Sequence, residues 1–435
     1  MRRDINIFAA LAEVNRLEVQ IRRNREAIAK KRTKDPLLHS EFTITGLDPE
    51  SSKEADRWKF NRRLGAGAFG IVYEAERRKN VSNRPNKLAV KLFVKNGKEE
   101  AEKEYTILKY LENKGLGSCV VNAYAVSNIV TRFMDSKGRI SKDEENLYFV
   151  SEELMDGDLE GFWEKVYLPN YEEARKNPKR EKSLIKLLNR LYDLFIGLTY
   201  CIGNIHTVGI VLRDIKPPNI LYKKVKNEIH FKFSDVGLSC AMGLVFGARG
   251  ELTITSVCEA SGLAGTVTYF APEIQEKHMT PVPGIEGKTV FDPVSKYLAA
   301  EKDAAFTGSD YWALGMTILQ VLIANPTAYY FPPEATFSRY EIKMNKWWQR
   351  LIGDRFSKAG ISTIPEINPA NLKWKSNPKI KTYLDSLMNK RGFGNIALLA
   401  KALLTVDPDK RKENVDAIIA GYSGPRRRRM RTPKK

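Results

Sequence analysis

Residues 211–222 read VLRDIKPPNILY, and residues 233–237 read FSDVG. Asp214, Lys216 and Asn219 stand at spacing 0, +2 and +5 between two apolar runs. That spacing predicts a short loop from which all three side chains project. Asp235 and Gly237 follow on a second loop, after a predicted strand over Ile229–Phe233. Two carboxylates, an ammonium and an amide on adjacent loops suit a reaction that spreads negative charge over several oxygens. Such a reaction is catalysed mainly by positioning and electrostatic stabilisation.

The two loops resemble the catalytic and metal-binding loops of eukaryotic protein kinases, written HRDxKxxN and DFG in that family. The resemblance extends over roughly residues 58–420. It implies an α+β, bilobal fold, with a small β-rich lobe carrying one main helix and a larger, mostly helical lobe. It implies transfer of the ATP γ-phosphoryl group to protein serine or threonine hydroxyls. In that scheme Asp214 accepts the hydroxyl proton, Lys216 neutralises the transferred group, and Asn219 and Asp235 hold Mg2+.

Working outward, residues 57–76 read RWKFNRRLGAGAFGIVYEAE. Gly65, Gly67 and Gly70 lie between two β-type runs, the arrangement of a glycine-rich hairpin over nucleotide phosphates. Glycines let the backbone come close to the phosphates, so Leu64, Gly65, Ala66, Gly67, Ala68, Phe69, Gly70 and Val72 are assigned to ATP. Leu64 and Val72 are expected to cover the adenine. The strand LAVKLFV, residues 88–94, carries Lys91 inside an apolar run. The resemblance gives Lys91 to the α/β phosphates and Ala89 to the adenine.

The helix expected in GKEEAEKEYTILKYL, residues 97–111, should supply an acid to Lys91. Glu104 is the choice, because it shares the face of Ile107, Leu108 and Leu111, where an unpaired carboxylate would be costly. Glu100, one turn earlier, is the reserve. Residues 119–155 predict two strands around a polar excursion, 131–146. The second strand, LYFVSEELMDGDL, resembles the strand and hinge between kinase lobes. Backbone groups of Glu152 and Leu154 are expected to meet the adenine edge, with Leu221 beneath the ring. Ser151 then takes the position behind the adenine, and its small side chain predicts an open pocket there.

Farther along, residues 164–182 are charged and broken by Pro169 and Pro178, and read as an insertion; a long helix is expected over 184–206. GTVTYFAPE, residues 265–273, resembles the end of an activation segment. Thr266 with Lys216 favours serine/threonine specificity. Thr253, Thr255, Ser256 and Ser261 are candidate phosphosites, and Arg213 is the residue that would pair with a phosphate. Asp310, in SDYWALGMTILQVL, is expected to brace the catalytic loop, and Arg411 to pair with Glu273. Leu212 and Val236 replace the family's histidine and phenylalanine, and the loss of the histidine predicts a looser link between the two loops. Pro218 and Gln320 stand where arginine-directed kinases carry acids, which predicts acidic or neutral substrate sequences.

The 435 residues carry a formal charge of +20, with +5 on residues 1–35 and +7 on residues 421–435. The domains expected are a basic amphipathic helical extension (1–35), a linker (36–56), a kinase domain (57–420, lobes 57–150 and 151–420) and a basic disordered tail (421–435). The first helix packs on its own chain or on a partner or membrane surface. The run Arg426–Arg429 is a nuclear-import signal bound by an import receptor, a nucleic-acid contact or a solvated end. Two functional alternatives follow: a pseudokinase scaffold that recruits partners through basic ends, and a nucleic-acid-associated kinase. No apolar run is long enough to span a bilayer. The four cysteines show neither CxxC pairs nor metal-ligand spacing, so a reducing cytoplasmic or nuclear setting is expected.

Overall fold

The computed structural model describes residues 37–38, 41–44, 57–66, 70–79, 85–93, 97–131, 145–226, 228–242, 265, 269–277, 279–281, 289–291, 303–323 and 384–423. The first expected helix, residues 424–435 of the basic tail, Gly67, Ala68, Phe69, Thr266 and the four candidate phosphosites lie outside these residues. The start of the expected disordered tail is corrected, since Gly421 ends a helix and Tyr422 is buried, its hydroxyl donating to Asp193 at 2.7 Å.

The smaller lobe is one antiparallel sheet. Its strands are β1 (Glu41–Thr43), β2 (Arg57–Ala66), β3 (Gly70–Arg77), β4 (Lys87–Phe93), β5 (Ala123–Thr131) and β6 (Glu145–Glu153), in the order β1-β2-β3-β4-β6-β5. Strand alternation gives the sheet two faces. Phe60, Tyr73, Leu88, Val90, Leu92 and Phe149 form a core on one of them. Helix α1 (Gly97–Leu111) packs on the other, burying Ala101, Glu104, Ile107, Leu108 and Leu111. Gly70 is required by close packing: a Cβ there would sit 1.8 Å from the Leu92 carbonyl oxygen.

The expected linker over 36–56 is corrected by β1, which pairs Phe42 with Trp58. Phe42 stacks on Phe60 with centroids 4.2 Å apart, and Ile44 is fully buried. Apolar side chains at 42 and 44 alternate in the manner of a strand and find a partner edge on β2.

The larger lobe begins with β7 (Gly157–Asp158) and α2 (Leu159–Phe162), capped by Asp158, whose Oδ1 accepts from the Gly161 N–H at 2.6 Å. Helix α3 (Leu168–Lys176) follows. The charged stretch read as an insertion is thus helical, and it anchors itself on Trp163, Tyr167 and Tyr171, all buried in the main core. The long helix α4 (Glu181–Thr207) buries Leu184, Leu188, Leu191, Phe195, Leu198, Ile202 and Ile205 at three- and four-residue steps. Next come β8 (Ile210–Val211), the hairpin β9 (Ile220–Val225) and β10 (Glu228–Phe233), and β11 (Cys240–Ala241). Helices α5 (Pro272–Lys277), α6 (Asp303–Ile323), α7 (Gly394–Leu403) and α8 (Pro408–Gly421) follow, with an antiparallel pair, β12 (Met279–Pro281) and β13 (Thr289–Phe291), between α5 and α6. Among the described residues no helix is long and apolar enough to cross a membrane.

The expectation of reduced cysteines is overturned. Cys119, after α1, is bonded to Cys201 on α4, with Cα atoms 5.4 Å apart and 82 residues of separation. Cys240 is also disulfide-bonded. The bond ties the smaller lobe's helix-to-strand connection to the central helix of the larger lobe. In the chain-entropy picture a loop of that size is stabilised by about 4–5 kcal/mol. Cys119→Ser with Cys201→Ser should therefore lower the melting temperature by about 5–7 °C, read in a thermal melt. An unchanged melt would show that the bond does not form in solution.

Candidate active site

The site is built on the seam between the lobes. On β4, alternation sends Ala89 and Lys91 to the α1 side and Val90 to the opposite core. The Lys91 ammonium lies 2.7 and 2.6 Å from the two Glu104 oxygens, and 2.7 Å from Asp235 Oδ1. Of the two candidate acids on α1, Glu104 is the one that meets the lysine. Lys103, next to it, donates to the Gly237 carbonyl at 2.7 Å and so fixes α1 to the second loop. Composition and spacing carried no signal for that contact.

The loop holding Asp214 is locked from beneath. Asp310, on α6 and 1% exposed, accepts from the backbone N–H of Leu212 and of Arg213, both at 2.8 Å. His206 Nε2 lies 2.9 Å from Asp310 Oδ2 and fixes that carboxylate in turn. Arg213 is held at φ 68°, a left-handed conformation uncommon for a side chain of this size. Above this brace, Asp214 Oδ2 accepts from Lys216 at 2.6 Å and from Asn219 Nδ2 at 2.9 Å.

The two loops are joined through backbone. The Ser234 N–H donates to the Asn219 carbonyl at 2.9 Å, which sets Asp235 beside Asn219. Asp235 itself adopts φ 56°, in the left-handed region that aspartate tolerates better than most residues. Around Leu212 the two loops are joined by main chain: β8 and β11 pair directly, Val211 with Cys240 and Ile210 with Ala241, and the Ser239 hydroxyl donates to the Leu212 carbonyl at 3.3 Å.

Around the nucleotide position, Leu64 is exposed at the end of β2, while Val72 lies opposite Lys91 in the β3–β4 register. Gly65 and Ala66 close β2 and Gly70 opens β3. Leu221 pairs with Lys232 in the β9–β10 hairpin beneath the cleft.

The reading of residues 151–154 needs correction. Ser151 pairs with Val90 and Glu152 with Ala89. Directly opposed residues share a face, so Ser151 points away from Lys91 and Glu152 points toward it. The Ser151 hydroxyl is occupied on that far side, donating to the Ala125 carbonyl at 3.2 Å and accepting from the Ala125 N–H at 3.0 Å. The expected open pocket is therefore replaced by a buried carboxyl. The Glu152 backbone is laddered between β4 and β5, so its side chain, not its main chain, enters the site. The Leu154 carbonyl is also taken, by the Lys223 ammonium.

Three carboxyls thus surround one ammonium. Burial works against the charged lysine, but Glu104, Asp235 and Glu152 together outweigh it and hold the Lys91 pKa above its ordinary value. Burial, and then the Glu104 charge, push Glu152 up to about 8. Burial raises Glu104 to about 7 against the pull of Lys91. Of Glu104 and Glu152, only Glu104 touches the ammonium, so Glu104 is the ionised one of that pair and Glu152 carries the proton. A carboxyl whose folded pKa is raised stabilises the fold fully below its unfolded value, near 4.5, and loses that contribution as pH rises toward 8. Thermal melts from pH 5 to 8 should accordingly show wild type losing stability relative to Glu152→Gln. Parallel curves would refute a proton held at this site.

Asp235 and Asn219 suit a hard cation. Asn219 turns its amide nitrogen to Asp214, at 2.9 Å, which leaves its amide oxygen as an acceptor beside a carboxylate. Mg2+ keeps few protein ligands and completes its shell with water and phosphate oxygens. Among the described residues no cluster of three or more His, Cys, Asp or Glu is arranged to hold a metal ion.

A second buried ion pair closes the larger lobe. Arg411 donates to Glu273 at 2.6 and 3.0 Å, and to the carbonyls of Gly308, Thr405 and Val406.

Comparison with known proteins agrees with this geometry. A family model described as "Protein kinase domain" matches residues 58–284, just over half of the chain. Cyclin-dependent kinase G1 of Arabidopsis thaliana is 24% identical over 378 residues, 85% of this chain and 49% of that protein. The 3-phosphoinositide-dependent protein kinase B of Dictyostelium discoideum is 30% identical over 240 residues, 53% of this chain and 21% of its own length. The DNA damage response protein kinase DUN1 of Saccharomyces cerevisiae is 27% identical over 241 residues, 51% of this chain and 39% of its own. The chain spans less than half the length of each of these three relatives.

Proposed function

Because this chain belongs to the protein kinase domain family, we propose that it transfers the ATP γ-phosphoryl group to serine or threonine hydroxyls of proteins. The observation that carries this reading is the double contact of Lys91, with Glu104 at 2.6 Å and Asp235 at 2.7 Å. It joins a helix, a strand and a loop from both lobes at one point.

In this reading Lys91 grips the α and β phosphates, and Glu104 keeps its ammonium in place. Asn219 and Asp235 hold Mg2+, which when bound offsets charge on the phosphates. Asp214 orients the incoming hydroxyl and takes its proton, while Lys216, 2.6 Å from Asp214, lies where it neutralises charge on the transferred group. The phosphate backbone contacts come from the glycine hairpin at Gly65–Gly70. Preorganised charges of this kind act without reorganising as the transferred group develops charge.

Incubation with labelled ATP, Mg2+ and generic protein acceptors tests the reading. Phosphoserine and phosphothreonine are the expected products. Phosphotyrosine alone, or no transfer by folded protein, would contradict it.

On substrates, Pro218 is exposed and neutral, which supports acceptor sites in acidic or neutral sequence. A peptide array dominated by arginine before the acceptor would defeat that preference. Protein substrates are the partners proposed. The cytoplasmic or nuclear setting rested on reduced cysteines, and the Cys119–Cys201 bond withdraws that support.

A further inference from the structure

The Cys119–Cys201 bond has no part in the scheme above, yet it joins the supports of the two loops that form the site. One of its ends lies in the connection after α1, residues 119–122. There the Cys119 carbonyl accepts from the Phe233 N–H at 2.8 Å, and the Val121 N–H donates to the Phe233 carbonyl at 2.9 Å. Val120 lies between these bonds and forms a parallel bridge with Phe233. Phe233 stands two residues before Asp235, so whatever fixes Cys119 also fixes the entry to the loop of Asp235. On its other side the connection holds the end of β6, where the Glu153 N–H donates to the Asn122 carbonyl at 2.8 Å.

The second end lies on α4. Cys201 is five residues before His206, which fixes Asp310 beneath the loop of Asp214. The covalent link therefore runs from the brace of one loop to the strand that delivers the other. Its two ends differ in access: Cys119 is 4% exposed, whereas Cys201 is half-buried. A thiolate from solution meets the bond at Cys201.

We propose that the Cys119–Cys201 bond is a redox latch that holds Asp235 in place for ATP and Mg2+. The proposal rests on the assignment of the cleft to that nucleotide. Opening requires a dithiol reductant. Its thiolate attacks the Cys201 sulfur, forming a mixed disulfide as the Cys119–Cys201 bond breaks. Cys119 leaves as a thiolate and takes up a proton. The second thiol of the reductant then attacks the mixed disulfide, releases Cys201 as a thiolate that is protonated in turn, and closes the reductant into its own disulfide. Two electrons pass to the protein. The connection is then held to Phe233 by hydrogen bonds alone, and the position of Asp235 beside Lys91 is less strictly fixed. Coupling between two sites of one protein is typically 5- to 150-fold in affinity, and a loss of about tenfold for ATP with Mg2+ is expected. Linkage makes the effect reciprocal. Bound nucleotide must favour the oxidised pair by the same factor, which lowers its reduction potential by about 30 mV.

The test uses the full-length chain. Binding of ATP with Mg2+ is measured on oxidised wild type, on wild type treated with dithiothreitol, and after reoxidation with glutathione disulfide. Alkylation and mass spectrometry report the state of each cysteine at every step. Cys119→Ser with Cys201→Ser, checked for a cooperative melt, removes this bond and leaves Cys240 unaltered. Reduction should weaken wild-type binding about tenfold and reoxidation should restore it. The double variant should bind like reduced wild type and ignore dithiothreitol. A redox titration of wild type with and without ATP and Mg2+ should show the 30 mV shift. Unchanged binding after Cys119 and Cys201 are reduced would overturn the proposal and leave the kinase reading standing. So would a double variant that binds like oxidised wild type, or one that still responds to dithiothreitol, because the effect would then belong to Cys240. Oxidised wild type that binds no adenine nucleotide would overturn the kinase reading itself.

Discussion

Asp214→Asn is expected to lower kcat about 10³-fold while leaving the melting temperature and the KM for ATP nearly unchanged. A positioned general base contributes roughly 10²- to 10⁴-fold. Asparagine matches aspartate in shape, so the Asp310 brace beneath the loop should survive: Leu212 and Arg213 bond to Asp310 through their backbones, at 2.8 Å. What disappears is the carboxylate proposed to take the hydroxyl proton, which also holds Lys216 at 2.6 Å. Lys216 then loses its anchor, so some of the fall comes from a misplaced cation. Steady-state kinetics with a peptide acceptor reads both parameters. Undiminished kcat would remove Asp214 from the chemistry and favour a scaffold role for the chain.

The second large effect concerns stability. Arg411→Leu should cost about 3–5 kcal/mol, because removing one partner of a buried ion pair leaves the other charge uncompensated. The Arg411 side chain is 0% exposed and Glu273 only 11%. The substitution also strips donors from three carbonyls, on Gly308, Thr405 and Val406. Trp312, whose ring lies 5.1 Å from the guanidinium carbon, loses its cation as well. For a domain of this size the melting temperature should fall by about 4–7 °C. The double variant Arg411→Leu with Glu273→Leu should recover part of that loss, because no charge is then stranded. A single variant that melts like wild type would mean the pair is solvated in practice.

Local motifs made much of this arrangement legible. The loop of Asp214, Lys216 and Asn219 is specified within six residues, so its chemistry can be read without knowing what packs around it. Glu104 was legible for a different reason: a carboxylate on the apolar stripe of α1 demands a cation. Asp310 and the Arg411–Glu273 pair came with the resemblance, through the segments that contain them.

What was hidden depended on register or on distant contacts. The segment 147–153 is plainly a strand, but its phase was not fixed by its own sequence. A shift of one residue exchanges Ser151 for Glu152 behind the nucleotide, since strand neighbours face opposite ways. That single step put a buried carboxyl where an open pocket was expected. β1 is three residues long, so the alternation at Phe42 and Ile44 is too brief to identify a strand by itself, and it pairs because β2 offers an edge. The Cys119–Cys201 bond joins residues 82 apart, a pairing that spacing alone does not reveal. Lys103 and Ser239 act on backbone carbonyls of other segments, and no motif records that.

The claim on which the rest depends is that Lys91, Asp235 and Asn219 converge on one metal-bound triphosphate. Calorimetric titration of wild type and Asp235→Asn with ATP, with and without Mg2+, tests it without relying on turnover. Wild type should bind one nucleotide, more tightly with Mg2+, and Asp235→Asn should bind it weakly and with no Mg2+ dependence. Equal, Mg2+-enhanced binding by both proteins would contradict the account.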